Sequence, residues 1–161
     1  MPNVFADSSA LVKLYANEVG YEQVRALRTP LISQLARVEV PAAIWRKQRM
    51  GELDAAAASI LVADFEADYF GTQNQPARFI PLTLRSDLLD AASRLAATHG
   101  LRAHDAIQLA TACAAATAAP DCQTFAAFDN ALRAAAAAEG FRLLPTQCHV
   151  EEHDRVAGGP R

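Results

Sequence analysis

The sequence predicts an α/β domain built around a mainly parallel, five-stranded sheet. Short apolar runs of strand length alternate with longer stretches of helical periodicity. That alternation implies β-α units with right-handed crossovers and helices on both faces of the sheet. The 161 residues suit one domain, in which folding buries roughly 70% of the unfolded chain's surface. No internal repeat and no linker divides the chain.

The elements follow in order. Val4-Phe5-Ala6 is a short apolar strand ending at Asp7, and Ser8 to Ala16 carries Leu11, Val12, Leu14 and Tyr15 at helical spacing. Gly20 punctuates, and Tyr21 to Leu27 predicts a second helix. Leu31-Ile32-Ser33 is the second strand. The helix from Leu35 to Arg49 places Leu35, Val38, Ala42 and Trp45 on one stripe. Pro41 inside it lacks a backbone donor and crowds the carbonyl of Arg37, which predicts a kink or a late start. Leu53 to Phe70 is a long helix striped by Leu53, Ala57, Ile60, Leu61, Phe65 and Tyr69. Phe79 to Leu82 is a third strand, and Pro81 puts it at a sheet edge or strand end. Arg85 to His99 is helical and stops at Gly100, a natural residue to follow a helix. Ala103 to Ala118 is the next helix and Gln123 to Phe128 a fourth strand ending at Asp129. Asn130 to Glu139 is a helix stopped by Gly140, and Phe141 to Leu144 is the fifth strand. Poly-alanine at 55–58 and 134–138 favours helix and close helix approach.

Composition excludes several classes. Hydrophobic residues make up 52% and charged residues 20%, but no run of about 18 uncharged apolar residues could span a membrane. The opening, Met1 to Asp7, has no basic stretch and reads as no secretory signal. Cys113, Cys122 and Cys148 have no paired spacing, so they read as reduced thiols of a cytoplasmic protein, two of them in the core. A net charge of -3 argues against a generic DNA-coating protein, which needs many exposed cations. It permits an enzyme with an acidic centre.

Four carboxylates stand at unusual positions. Asp7 ends strand one and Asp129 ends strand four, each just ahead of a helix, where aspartate also serves as an ordinary N-cap worth about 1 kcal/mol. Asp105 lies near the start of its helix, where an acid complements the helix dipole. Glu39 has Leu35, Ala36, Ala42 and Ala43 as its helix-surface neighbours. None of these can pair with it, and a carboxylate facing inward is costly without a partner.

Sheet order joins the four. In a doubly wound sheet, ligands bind beyond the carboxyl ends of the strands where strand order reverses. With order 3-2-1-4-5, strands one and four flank that point and bring Asp7 beside Asp129. Helix starts at the same edge add Asp105, and the helix after strand two leans Glu39 over it. Carboxylates about 5 Å apart repel by roughly 3 kcal/mol at an effective dielectric of 20, so the cluster raises its own pKa values or recruits a cation. Oxygen-only ligands select Mg²⁺ or Mn²⁺, an ion that polarises a phosphoryl oxygen and acidifies a bound water. The implied reaction is phosphodiester hydrolysis.

At these residues the sequence resembles the PIN-domain ribonucleases, specifically the VapC-type toxins of bacterial toxin–antitoxin pairs. The resemblance is carried by Asp7-Ser8-Ser9-Ala10-Leu11-Val12-Lys13-Leu14-Tyr15, by Ser33-Gln34-Leu35-Ala36-Arg37-Val38-Glu39, by the segment Leu101 to Ala110 around His104-Asp105-Ala106, and by Phe125 to Leu132 around Asp129. These four segments occur in the family's order and span residues 3 to about 145. The family's three near-invariant acids map onto Asp7, Glu39 and Asp105, and its more variable fourth acid onto Asp129. Its small hydroxyl, which supports the first acid by hydrogen bonding, maps onto Ser9. Ala127 departs from the pattern, because a serine or threonine is common there.

The resemblance implies a three-layer α/β/α fold over residues 1–148 with a flexible polar tail at 149–161. It also implies dependence on Mg²⁺ or Mn²⁺, homodimers, and a VapB-type antitoxin whose tail blocks the acidic site. Asp7 and Asp105 are expected to bind the metal directly and Glu39 directly or through water. The expected product is RNA cut to 5′-phosphate and 3′-hydroxyl ends, which inhibits translation and growth.

Other features carry less. Arg37, Arg46 and Lys47, on the Glu39 helix, and His104 are candidate RNA contacts; Arg49 lies at the end of that helix. His149, Glu151, Glu152, His153 and Asp154 lack an apolar framework and read as a hydrated tail. Trp45 and the Phe65/Tyr69 stripe read as core or interface rather than base-stacking platforms, since no cations interleave them. In the family, the early helices and the long fourth helix form the antitoxin groove, which makes an apolar patch of Leu61, Phe65 and Tyr69 the alternative. A catalytically silent PIN-like module that binds RNA or protein is the alternative reading. A signalling receiver domain is excluded, because Asp7 is followed by Ser8 and no lysine occurs beyond Lys47.

Overall fold

The computed structural model describes residues 3–16 and 21–146. Gly20, Cys148 and the tail at 149–161 lie outside them. Five strands run β1 (Val4–Ala6), β2 (Leu31–Ser33), β3 (Ile80–Leu82), β4 (Thr124–Ala126) and β5 (Arg142–Leu144). They form one sheet in the order β3-β2-β1-β4-β5, and every pairing is parallel. The expected order therefore holds, and the proline-bearing strand stands at the edge.

The helices are α1 (Ser8–Tyr15), α2 (Tyr21–Arg25), α3 (Ala36–Arg49), α4 (Ala55–Phe70), α5 (Ser86–His99), α6 (Ala103–Ala118) and α7 (Asn130–Ala138). Adjacent strand residues feed opposite cores. Ala6, Ile32 and Ala126 face a cluster with Leu11, Val24, Val40, Ile44 and Phe65 of α1 to α4. Phe5, Leu31 and Phe125 face a second cluster with Leu109, Leu132 and Phe141. Phe5 and Phe125 stack across the β1–β4 pair with ring centroids 5.4 Å apart. This two-sided burial explains why the strands read as continuous apolar runs, and it gives the expected three layers.

Two expectations change and one alternative is settled. The α3 stripe of Leu35, Val38, Ala42 and Trp45 is off by a phase, since the buried line is Ala36, Val40 and Ile44, whereas Val38 is 67% exposed. Helices α1 and α4 pack against α3, and spacing alone did not fix which arc they cover. Pro41 does not delay α3, which begins at Ala36 and runs through it. Phe65 and Tyr69 form no exposed patch: both are buried in the first core, where Phe65 contacts Tyr15, Tyr69 and Phe79. The large exposed apolar residues of α4 are Ile60 and Phe70.

Element ends moved slightly. Asp54 caps α4, accepting from the Ala57 amide at 2.7 Å, so the helix starts at Ala55 rather than Leu53. Gly100 closes α5 in the left-handed conformation at φ 64, as its position predicts. Arg133, buried in α7, donates to the carbonyls of Ala127 (2.8 Å), Leu144 (3.2 Å) and Pro145 (2.7 Å). It ties the carboxyl ends of β4 and β5 together. Cys122 is buried and Cys113 half-buried. Among the described residues, no helix is long and apolar enough to cross a membrane.

Candidate active site

The carboxyl ends of β1 and β4 are joined beyond the last strand residues. The Asp7 amide donates to the Ala126 carbonyl at 2.9 Å, which continues the β1–β4 ladder by one step. Asp7 then caps α1. Its Oδ2 accepts from the Ser9 amide at 3.0 Å and from the Ser9 hydroxyl at 2.6 Å. Ser9 Oγ in turn accepts from the Phe128 amide at 3.0 Å. One hydroxyl therefore fixes the first acid and the loop that leads to Asp129. Asp129 caps α7 through the Leu132 amide at 2.9 Å. The ordinary capping role holds for both aspartates, and it is also what aims them at the edge.

Glu39 has the partner that its sequence neighbours lacked. Ser8 Oγ donates to Glu39 Oε2 at 2.6 Å, and Gln108 Nε2 donates to the same oxygen at 2.6 Å. Gln108 Nε2 also lies 2.9 Å from Ser8 Oγ, which closes a triangle between α1, α3 and α6. Gln108 is only 1% exposed, and its Oε1 is buried without a hydrogen-bond partner. Sequence reasoning overlooked it. The available signal was an amide one turn after Asp105, set among Ala106, Ile107, Leu109 and Ala110.

Asp105 is buried near the start of α6 on the same side as Gln108. Its Oδ2 accepts from Arg102 Nε at 3.1 Å, and Arg102 Nη2 reaches Asp129 Oδ2 at 3.4 Å. His104 Nε2 is 3.5 Å from Asp105 Oδ1. Arg102 was the second omission, although an arginine three residues before an aspartate on a helix is a standard pairing distance.

Electrostatics separates these acids. Burial pushes the Asp7 carboxyl up from 3.8 to about 6, and the Glu39 charge adds to the rise, while the Ser9 hydrogen bonds pull the other way. Asp7 and Glu39 therefore sense one another. Among the described residues, no three carboxylate, imidazole or thiol groups enclose an ion by themselves. The acids line an open edge and form no closed cage. The donor chemistry still fits Mg²⁺ or Mn²⁺. Each acid offers hard oxygens, Asp7 is short of solvation, and an open edge suits an ion that keeps several waters.

Of the cations expected to meet RNA, only His104 lies at the acids. The Arg37 guanidinium is 5.0 Å from the Phe70 ring centre and 5.8 Å from that of Tyr69, which turns it toward α4. Arg46 and Lys47 sit about 10 to 12 Å farther along α3 than Glu39, and Lys47 pairs with Glu52 at 2.9 Å. A groove of about 500 Å³ opens beside that pair, lined also by Tyr15, Ile60 and Leu61. Leu61 is thus the one member of the expected apolar patch that reaches a surface groove. Ala127 is buried in the second core with its amide bonded to the Leu144 carbonyl at 3.1 Å. Its methyl occupies apolar space where a hydroxyl would need a partner.

Comparison with known proteins bears on the family and the fold. The chain is 32% identical over 151 residues to ribonuclease VapC45 of Mycobacterium tuberculosis (strain CDC 1551 / Oshkosh), covering 91% of this chain and 98% of the relative. The same figures hold for ribonuclease VapC49 of Mycobacterium tuberculosis (strain ATCC 25618 / H37Rv). Among solved structures, PAE2754 from Pyrobaculum aerophilum superposes with a TM-score of 0.60 at 24% identity, over 90% of this chain and 92% of that one. Mycobacterium tuberculosis VapC20, described as a sarcin-ricin loop cleaving toxin, gives a TM-score of 0.58 at 18% identity, over 86% and 96%. No family model matches the chain.

Proposed function

The chain belongs to the VapC family of ribonucleases, and on that premise we propose that Asp7, Glu39, Asp105 and Asp129 form the active edge of a metal-dependent endoribonuclease. Its activity is that of a toxin of a toxin–antitoxin pair, hydrolysing RNA phosphodiester bonds. One observation carries the site assignment. Ser8, Glu39 and Gln108, drawn from three distant segments, are hydrogen-bonded together directly beside Asp7, at the sheet edge where α/β folds bind ligands.

Asp7, Glu39 and Asp105 would hold a Mg²⁺ or Mn²⁺ ion. That ion supplies charge to a phosphoryl oxygen and acidifies a bound water. The protein's own residues set the geometry. Ser9 fixes the rotamer of Asp7, and Ser8 with Gln108 holds the Glu39 carboxylate by two short bonds to one oxygen. Asp129 caps α7 and faces the edge from the far side. His104, 3.5 Å from Asp105 Oδ1, would contact a phosphate, and Arg37, Arg46 and Lys47 would meet RNA farther from the cut.

In this reading the chain works in the cytoplasm as a homodimer. A VapB-type antitoxin blocks the acidic edge, and the groove beside Tyr15 and Leu61 offers it an apolar seat. The test is cleavage of a single-stranded RNA by the full chain with Mn²⁺ and with EDTA. Cleavage should require the ion and leave 5′-phosphate ends. Asp7→Asn and Asp105→Asn should each lower it about a hundredfold or more while circular dichroism stays unchanged. Full activity in either variant overturns the assignment, and cleavage by neither the wild type nor the variants would favour a silent binding module.

A further inference from the structure

The group in closest contact with two of the acids is one that the proposed chemistry leaves idle. Arg102 precedes α6 with extended backbone (φ -66, ψ 155) and makes no side-chain cap bond. Its Nε meets Asp105 Oδ2 at 3.1 Å and its Nη2 meets Asp129 Oδ2 at 3.4 Å, so one planar guanidinium spans carboxylates from two helices. The Asp105 oxygen belongs to the set that would hold a divalent cation, and the Asp129 oxygen adds negative charge beside it. Arg102 is nevertheless 68% exposed on its side chain, whereas that of Asp105 is 9% exposed. An ion pair held in water is weak, and the cost of exchanging it is small.

The other cations near the edge differ. Buried Arg133 is held by three carbonyls and has no freedom to leave. His104 touches only Oδ1 of Asp105, at 3.5 Å. Among the described residues, Arg102 is the cation that joins a position bridging two of these acids to an exposed side chain. A guanidinium is also a strong planar ligand for phosphate.

From this geometry, and resting on the ribonuclease reading above, we propose that Arg102 is an exchangeable counter-ion: it bridges Asp105 and Asp129 until a divalent cation takes the edge, and then turns its guanidinium to an RNA phosphate. Cation and RNA binding are thereby coupled through one side chain, and the coupling is reciprocal. Arg102 competes with the ion and recruits the substrate, so its removal should act on the two ligands in opposite directions.

The test compares wild type, Arg102→Ala and Arg102→Lys as full chains. Mn²⁺ affinity is read by calorimetry without RNA, and KM and kcat are read with a single-stranded oligoribonucleotide at saturating Mn²⁺. Arg102→Ala should bind Mn²⁺ about three- to tenfold tighter, the range expected for removing a weak exposed competitor, and its loss in cleavage should appear in KM more than in kcat. Arg102→Lys, which keeps the charge without the planar fork, should restore KM partly and compete with Mn²⁺ less than arginine. Unchanged or weaker Mn²⁺ binding in Arg102→Ala overturns the competition, and an unchanged KM overturns the phosphate contact. A wild type that binds Mn²⁺ but cuts no RNA defeats the ribonuclease reading, while the calorimetric arm still decides whether Arg102 competes. A wild type that cuts RNA beside an Arg102→Ala variant with no gain in Mn²⁺ affinity defeats this inference alone.

Discussion

The acidic edge has two halves that solve the same problem differently. On the α1–α3 side, Asp7 and Glu39 are held by neutral donors: the Ser9 amide and hydroxyl, the Ser8 hydroxyl and the buried Gln108 amide. On the α6–α7 side, Asp105 and Asp129 also have ionic partners, Arg102 and His104, whose side chains are exposed. Neutral donors in a dry setting fix a carboxylate but leave its charge uncompensated. Exposed cations compensate charge but fix little. A site built from both kinds has one rigid wall with unmet demand for positive charge and one wall whose counter-ion can be exchanged.

The comparison breaks most clearly at Asp7, where the rigid wall stores its cost. Its carboxyl is raised from 3.8 to about 6, first by burial. Below pH 4 both folded and unfolded chains are protonated at this position, so it is neutral toward stability. Between pH 4 and 6 the folded chain holds the proton more tightly, so stability falls as pH rises. Above pH 6 the penalty is constant, and a rise from 3.8 to about 6 corresponds to about 3 kcal/mol. Asp7→Asn keeps the cap and removes the charge. Chemical denaturation should find it more stable than wild type by up to about 3 kcal/mol at pH 7.5, with the gain vanishing near pH 4. A gain that is the same at both pH values would show that the wall is not dry.

Much of this architecture was legible in the sequence for reasons that also define where legibility ended. Alternating short strands and helices gave the sheet, and the acids after Ala6 and ahead of Asn130 gave its functional edge, because strand ends and helix starts coincide there. Asp7, Glu39, Asp105 and Asp129 stood out as charges in apolar or capping positions. Ser8, Gln108 and Arg102 did not, since a hydroxyl, an amide and a surface arginine are ordinary on helices until their partners are known. The α3 stripe failed for a related reason. Alanines at 36, 42 and 43 leave several arcs equally apolar, and packing against α1 and α4 chose Ala36, Val40 and Ile44. The spacing of Phe65 and Tyr69 marks an apolar face without saying whether the chain's own core or a partner covers it, and the core does.

A second variant sharpens the rigid wall. Gln108→Leu deletes the 2.6 Å bond to Glu39 and the link to Ser8, but it also removes the unpartnered Oε1. A bond to a charged group is worth about 1.5 to 3 kcal/mol, and relief of the buried acceptor offsets part of that. The net loss of folding stability should be about 1 to 2 kcal/mol. Cleavage should fall more than stability explains, because Glu39 is then held by Ser8 alone. If cleavage stays at the wild-type rate in folded Gln108→Leu, the triangle is structural and has no part in aiming Glu39.

The exchangeable wall should respond least. Asp105→Asn removes a charge paired with exposed Arg102 and His104, so its folding stability should change by less than about 1 kcal/mol despite its effect on cleavage. Asp129 differs because it also caps α7 through the Leu132 amide at 2.9 Å. Asp129→Ala should cost about 1 kcal/mol, and Asp129→Ser, which keeps a cap acceptor without the charge, should recover most of it. The pair of variants separates the two duties of one residue. If Asp129→Ser restores stability but not cleavage, the carboxylate acts at the edge. If it restores both, Asp129 contributes only by starting the helix, and the working acids are the three drawn from α1, α3 and α6. Those three span both walls, so the contrast between a side held by neutral donors and an ion-paired side would survive with Asp105 as the sole acid on the second.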